Sequence, residues 1–249
     1  MFGVGVGIRV GGRSSSGGFD PAAQAYIDAL AADGYPLEAP EQSYINTLVT
    51  DFKTAGIWSK MKAIYPYCTS QRNLISYSED ITNATGWGSA NISTSSNTTT
   101  APNSTTTADT FTTTVNGNNV FWNLGWIGGN DNTFTNSVYV KYNNAQWVTL
   151  EIWNGMVQNG IRLWVDVQNG VLGTANATVG SYTSKSIQSV GNGWYRVSVT
   201  GVMPSGNNAL FAMRHVDGDG AYNFTAVNGK STYVWGSQNE LGTLTTYQP

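Results

Sequence analysis

Residues 147–153 read Trp-Val-Thr-Leu-Glu-Ile-Trp, and residues 161–167 read Ile-Arg-Leu-Trp-Val-Asp-Val. In both stretches an aliphatic side chain stands at every second position. Successive side chains of a β-strand point to opposite faces, so this period of two predicts two strands that each have one apolar face. Val148, Leu150 and Ile152 form the predicted core face of the first strand.

The same alternation recurs through the rest of residues 70–249 and is interrupted by turn pairs such as Asn116-Gly117 and Asn169-Gly170. Many short strands without intervening helices predict a mainly β fold, a jelly-roll-like antiparallel β-sandwich. The strands are expected near residues 72–78, 87–95, 107–114, 119–126, 134–142, 147–154, 160–167, 182–189, 193–200, 208–215 and 230–237.

The composition excludes several classes of protein. Charged residues make up 11% of the 249 residues and the net charge is −3, so the chain lacks the positive field of a nucleic-acid binder. Cys68 and His215 are the only residues of their types, which excludes an intrachain disulfide and a Cys/His metal site within one chain. No cofactor is expected. The sequence contains no apolar stretch long enough for a membrane-spanning helix.

Residues 19–69 have a helical pattern that begins at Asp20-Pro21, an N-cap followed by proline. We expect three short helices, the third at 57–64, as an attachment segment. Residues 1–18 are glycine-rich. They form either a flexible tail or an anchor to a capsid or other virion partner. Five apolar side chains that alternate at period two favour an added strand as this anchor: Phe2, Val4, Val6, Ile8 and Val10.

Tryptophan stands repeatedly on the polar side of the predicted strands, beside charged residues. The candidate contact residues are Trp147, Glu151, Trp153, Arg162, Trp164, Asp166, Trp194 and Arg196. An indole ring flanked by hydrogen-bonding groups suits a sugar, since the C–H face of a pyranose stacks on the ring. Interfaces between subunits also favour Trp and Arg. A third alternative is that loops of the same chain cover these rings.

A catalytic role requires two suitably spaced carboxylates, and Glu151 and Asp166 are the candidates for a glycan-degrading enzyme. Both carboxylates could equally be paired with arginine, so we expect no enzymatic activity. The stretch Asp217-Gly-Asp-Gly220 contains part of a calcium-loop pattern but lacks the later ligands. It is expected to be a tight turn. Glu79 and Asp80 could supply calcium ligands, although nothing in the sequence identifies their partners.

Several segments resemble, in order, a β-sandwich module found in structural proteins of tailed bacteriophages. The resemblance covers about 170 residues. The matching segments are Asn73-Leu-Ile-Ser-Tyr-Ser-Glu-Asp80, Ala101-Pro-Asn-Ser-Thr-Thr-Thr-Ala-Asp109, Ser137-Val-Tyr-Val-Lys141, Val190-Gly-Asn-Gly-Trp-Tyr-Arg196 and Tyr233-Val-Trp-Gly-Ser-Gln-Asn-Glu-Leu-Gly242. In the helical part, Gly56-Ile-Trp-Ser-Lys-Met-Lys-Ala-Ile-Tyr-Pro66 is similar to a motif in virion proteins of crAss-like phages.

Such modules resemble carbohydrate-binding jelly rolls and occur in fibres and spikes on phage particles. The resemblance implies a protein of the virion surface, either a head fibre or capsid decoration protein or a tail fibre that binds a receptor. It also implies a homo-oligomer, commonly a trimer, and host or mucosal glycans as ligands. The motif residues are mostly turn and core positions, and none of them forms an acid/base pair.

Overall fold

The computed structural model describes residues 18–32, 37, 39–60, 73–125, 127–155, 159–221 and 226–249. The chain divides into two compact units, Met1–Ser70 and Gln71–Pro249. Among the described residues, no helix is both long and apolar enough to cross a membrane. The predicted anchor residues lie outside the described part of the chain, so the anchor stays a prediction: Phe2, Val4, Val6, Ile8 and Val10.

Two α-helices form the described part of the first unit, α1 (Pro21–Ala32) and α2 (Ala39–Thr54). Asp20 caps α1 as the sequence predicts, because its Oδ1 accepts a hydrogen bond from the backbone N–H of Ala22 at 2.9 Å. The same carboxylate pairs with the ammonium group of Lys53 on α2. A small core lies between the helices and consists of Ala23, Ile27, Ile45 and Val49.

The prediction of three helices is wrong, because the described residues contain two α-helices and one short 3-10 turn, Trp58–Lys60. Gly56 adopts a left-handed conformation, with φ at 69°, and ends α2. A turn with i→i+3 hydrogen bonds suits the few residues that follow. The remainder of the predicted third helix lies outside the described residues.

The second unit consists of two antiparallel sheets with six strands each. The strands are β1 (Trp87–Ala90), β2 (Ile92–Thr99), β3 (Ala108–Thr113), β4 (Val120–Asn123), β5 (Asn132–Tyr142), β6 (Trp147–Trp153), β7 (Gly160–Asp166), β8 (Val171–Ala177), β9 (Ser181–Gly191), β10 (Trp194–Met203), β11 (Leu210–Val216) and β12 (Ser231–Leu241). The first sheet has the order β1-β4-β11-β6-β7-β8. The second has the order β2-β3-β12-β5-β10-β9.

One apolar core lies between the two sheets, as expected for a sandwich. Val148, Leu150 and Ile152 of β6 contribute to it from the first sheet, as their alternation predicts. Val197 and Val199 of β10 contribute from the second sheet. Since the inner faces share this core, the side chains that alternate with the core residues lie on two outer faces, on opposite sides of the sandwich.

Three strand predictions need correction. The described part of the expected strand at 72–78, residues 73–78, does not form a strand, because turns occupy residues 76–79 and Tyr77 has a φ of 59°. The expected strand at 87–95 is two strands in different sheets, separated at Asn91, whose φ is also positive at 57°. Strand β8 was not predicted. It lies at the edge of its sheet and is mostly half-buried, so it needs little apolar alternation.

Candidate functional site

The eight candidate contact residues do not form one surface. Trp194 and Arg196 lie on β10 in the second sheet, whereas the other six lie on β6 and β7 in the first sheet. All eight alternate with core residues and therefore belong to the outer faces, which are on opposite sides of the sandwich. Sequence periodicity identified the outward side of each strand but not the sheet to which each strand belongs.

Most of the candidate rings are buried within the chain itself. The relative exposures of Trp153, Trp164 and Trp194 are 7%, 0% and 1%. The indole nitrogen of Trp164 donates to the carbonyl of Ala221, and that of Trp194 donates to the carbonyl of Thr100. Of the three alternatives, cover by the same chain agrees with the burial of these rings. Loop residues cover Trp164 and Trp194, and Trp153 packs in a cluster with Val120, Leu210 and Ala212.

A buried ionic cluster occupies the centre of the first sheet's outer face. Glu151 Oε1 accepts hydrogen bonds from Arg162 Nε at 2.7 Å and from Arg214 Nε at 3.0 Å. A third hydrogen bond to this oxygen comes from the hydroxyl of Thr149 at 2.8 Å, and Glu151 Oε2 accepts from Arg162 Nη2 at 3.1 Å. Glu151, Arg162 and Arg214 are each no more than 4% exposed. Two guanidinium groups thus share one carboxylate, and Arg214 was not among the residues predicted from the sequence.

The two arginines also stack on tryptophans. The guanidinium of Arg162 lies 5.5 Å from the ring centroid of Trp164, and that of Arg214 lies 5.5 Å from the ring centroid of Trp153. A desolvated cation over an indole face is attracted by the ring quadrupole. The alternation of Trp with charged residues in the sequence therefore corresponds to a packed structural layer rather than to an open binding surface.

The carboxylates of Glu151 and Asp166 do not have the properties of a glycosidase pair. Burial alone would raise the pKa of Glu151, but Arg214 and Arg162 outweigh it and hold the pKa below its usual range. Glu151 faces Arg162 in the sheet, and Asp166 stands four residues further along β7. At ~3.3 Å per residue, the backbone positions of Glu151 and Asp166 are about 13 Å apart along the strands. Glycoside hydrolysis requires two carboxyl groups within about 10 Å of each other.

Asp166 organises a different group of side chains at the edge of the same outer face. Its Oδ2 accepts hydrogen bonds from Gln146 Nε2 and from Asn169 Nδ2, both at 2.8 Å, and its Oδ1 accepts from the backbone N–H of Asn169 at 3.0 Å. Burial alone would raise the pKa of Asp166. The hydrogen bonds from Asn169 and Gln146 outweigh this effect and hold the pKa below its usual value. Trp147 pairs with Asp166 across the strands and is half-buried.

Arg196 is the other candidate with an accessible side chain. It is half-buried, its Nη2 donates to Ser137 Oγ at 3.2 Å, and its guanidinium lies 5.5 Å from the ring centroid of Tyr139. Its Nε is buried without a hydrogen-bond partner among the described residues. Trp194 lies on the same strand but is covered, so this group offers one arginine on a tyrosine and no open tryptophan ring.

Among the acidic residues suggested as calcium ligands, Glu79, Asp80 and Asp219 accept hydrogen bonds from groups of the same chain. Asp219 accepts hydrogen bonds from the backbone N–H and the hydroxyl of Thr174, so the Asp217–Gly220 turn is tied to β8. Glu79 and Asp80 line a cavity of about 470 Å³ together with residues 73–78 and 248–249. Within the described ranges, no group of three or more His, Cys, Asp or Glu side chains is placed to hold a metal ion.

No protein-family model and no curated protein matches the chain. The crystal structure of Bacteriophage CBA120 tailspike protein 4, enzymatically active domain, is similar to 68% of this chain at 12% sequence identity and a TM-score of 0.38. The chain spans about a fifth of that structure's length, as the match covers 21% of it. A functional conclusion therefore depends on the geometry of the chain and on its sequence motifs.

Proposed function

We propose that this chain is a structural protein of a tailed-phage virion, a head fibre or capsid decoration protein that displays a glycan-binding-like β-sandwich. The observation that carries the proposal is the separation into two compact units, of which the second has a large apolar core of its own. In the chain, a small helical unit is followed by a self-contained sandwich. This order suits a protein in which the first segment attaches to a surface and the sandwich is displayed.

The positions of the resembling motifs support this proposal. The turn Gly191-Asn192-Gly193 has three successive positive φ angles of 92°, 53° and 78°, and it connects β9 to β10. The Tyr233-Val-Trp235 segment lies in β12 beside β5. These motif residues therefore specify turns and strand pairing, which fits a module whose shared sequence encodes architecture rather than catalysis.

The state of Glu151 supports a non-enzymatic role. A general acid must hold a proton near neutral pH, whereas two guanidinium groups keep this carboxylate ionised and buried. Its contacts are those of a structural counter-ion. A glycan-degrading enzyme would therefore need other carboxylates, and cleavage of polysaccharide by the wild-type protein is the result that would favour that alternative.

Immunogold electron microscopy of purified particles, with antibody against residues 70–249, tests the proposal. Label over the head is the expected result. Label at the tail would instead make the protein a tail fibre or receptor-binding protein. Absence of label from intact and from disrupted particles would overturn the virion role. Particles of a deletion mutant that lacks this protein are the matched control for antibody specificity.

We further propose that the protein is a trimer anchored through residues 1–18 to a capsid or other virion protein. Binding to host or mucosal glycans would then come from many weak contacts acting together, because linked sites raise the effective concentration of each other. Light scattering on the purified chain measures the subunit count. A monomer at micromolar concentration would contradict the trimer without affecting the virion location.

A further inference from the structure

The chain enters the sandwich at one end, which we call the proximal end. Asn73 Nδ2 donates to the carbonyls of Ser237 and Gln248, both at 3.0 Å, and its Oδ1 accepts from the backbone N–H of Asn239 at 3.2 Å. The backbone N–H of Leu74 also donates to the Asn239 carbonyl at 2.7 Å. These bonds fix the start of the sandwich beside the last part of β12.

The opposite end, here the distal end, is the part furthest from that attachment along the strands. Asn239 faces Asn136 on β5, and β5 continues for six more residues to Tyr142. At ~3.3 Å per residue, this places the distal loops about 20 Å from the attachment. The loops 143–146 and 167–170 follow β5 and β7 at this end.

At the distal end, Trp147, Gln146, Asn169 and Asp166 form a rim on the first sheet. Asp166 is ionised and accepts hydrogen bonds only, so the NH₂ groups of Gln146 and Asn169 must face it. This orientation leaves the carboxamide oxygens of both side chains without a partner among the described residues, and both side chains are exposed. Because facing residues in a sheet have Cβ atoms ~5 Å apart, the Trp147 ring stands beside this group.

The ring of Trp147 is held in place by its neighbours. A side chain on Gly173 would begin 2.9 Å from Trp147 Cζ3 and would collide with the carboxylate of Asp219. The ring also packs against the buried Trp164 and Val216. Trp147 is therefore a half-buried, fixed aromatic platform with two oriented hydrogen-bond acceptors at its side.

The charge around the rim selects the class of ligand. Asp166 and Asp219 both carry carboxylates there, while Lys185 of β9 donates to the carbonyl of Gly173. A second ammonium group, that of Lys230, donates to the carbonyl of Asn144 in the distal loop 143–146. The two carboxylates and the two ammonium groups balance, so the rim offers an anionic ligand no net positive charge. The hydroxyls of a neutral sugar can donate to the carboxamide oxygens while its C–H face lies on the indole.

We propose that Trp147, Gln146 and Asn169 form a binding site for one unit of a neutral saccharide, with Asp166 as the positioning residue. This inference rests on the proposed display of the sandwich, and it assigns the ligand class and the location of the site. It differs from the sequence prediction by excluding the buried Glu151 and Trp153 from contact.

Retention of the full-length protein in affinity gels tests the site. The probes are dextran, mannan and galactan as neutral polymers and alginate as an acidic one. We expect retention by at least one neutral polymer and none by alginate. Trp147→Ala should weaken the retention at least about fivefold, as expected for an aromatic anchor. Trp122→Ala is the matched control, because Trp122 is a half-buried ring on the same outer face, on β4.

Gln146→Ala and Asn169→Ala keep the test valid if Trp147→Ala does not fold, since both side chains are exposed and should each weaken retention. Asp166→Asn should move the side-chain amide resonances of Gln146 and Asn169 toward those of free carboxamides, in parallel with the loss of retention. Three results would each overturn the site: no retention by any neutral polymer, retention by alginate alone, or equal loss in Trp122→Ala and Trp147→Ala. Virion label with none of these binding effects would leave the display role intact.

Discussion

Replacing Glu151 with glutamine would remove the only negative charge from a buried cluster that contains two guanidinium groups. The new amide NH₂ would also face a guanidinium donor, either Arg162 Nη2 or one of the groups that now bond to Oε1. Leaving buried charges without a counter-ion costs about 3–5 kcal/mol of unfolding free energy. For a domain of this size, that corresponds to a fall in the unfolding temperature of about 6–20 °C.

Tryptophan fluorescence during urea unfolding measures this loss, since eight of the nine tryptophans lie after residue 71. Arg162→Met is an informative comparison, because it leaves Glu151 paired with Arg214 and should cost less than Glu151→Gln. Glu79→Gln is the matched control at a half-buried carboxylate and should change stability little. A Glu151→Gln protein of unchanged stability that had lost a polysaccharide-cleaving activity would refute the structural role and favour catalysis.

Three further predictions concern burial and attachment. Burial, with a smaller effect of Lys230, lowers the pKa of His215 from 6.5 to about 3. As the pH falls, the unfolded chain therefore binds a proton at His215 before the folded chain does. The free energy of unfolding should fall by about 2.5 kcal/mol between about pH 7 and pH 4.5. His215→Gln should remove this acid-dependent loss in urea titrations, and an unchanged pH dependence would contradict the assignment. Trp164→Ala should cost about 3–5 kcal/mol of unfolding free energy because the ring is 0% exposed, and a loss below about 1 kcal/mol would argue against its burial. Deleting residues 1–18 should leave a folded protein that no longer joins the particle, as judged by immunoblots of purified virions; normal incorporation would exclude the anchor.

The alternation of side chains allowed most strands and the inner face to be predicted. Val148, Leu150 and Ile152 pack in the core because a period of two places them on one side of β6. The same period cannot reveal what covers the other side. Trp164 has the sequence pattern of an exposed residue, yet a loop that begins more than fifty residues later in the chain covers it at Ala221. Contacts of this separation leave no local signal.

The site that we propose at the distal rim contains residues that the sequence indicated and residues that it did not. Trp147 and Asp166 were recognised because they stand among aromatic and charged neighbours in regular strands. Gln146 and Asn169 were missed because they lie in loops, where no periodicity indicates direction. Both are held by one carboxylate that is twenty residues from the first and three from the second. Asn-Gly at 169–170 indicated a turn, but only the fold shows that the turn orients a carboxamide.

The bonds of Asn73 have a mechanical consequence. They fix the start of the sandwich to β12 at the end opposite the distal loops, so a tensile load between the two ends runs along the strands. Hydrogen bonds of an antiparallel ladder lie across the strands; such a load therefore shears many of them together instead of opening them one after another. Resistance to this pull is a matter of unfolding rate rather than of equilibrium stability. Asn73→Ala should leave the β-sheet ladders intact and let the first segment peel away at lower force.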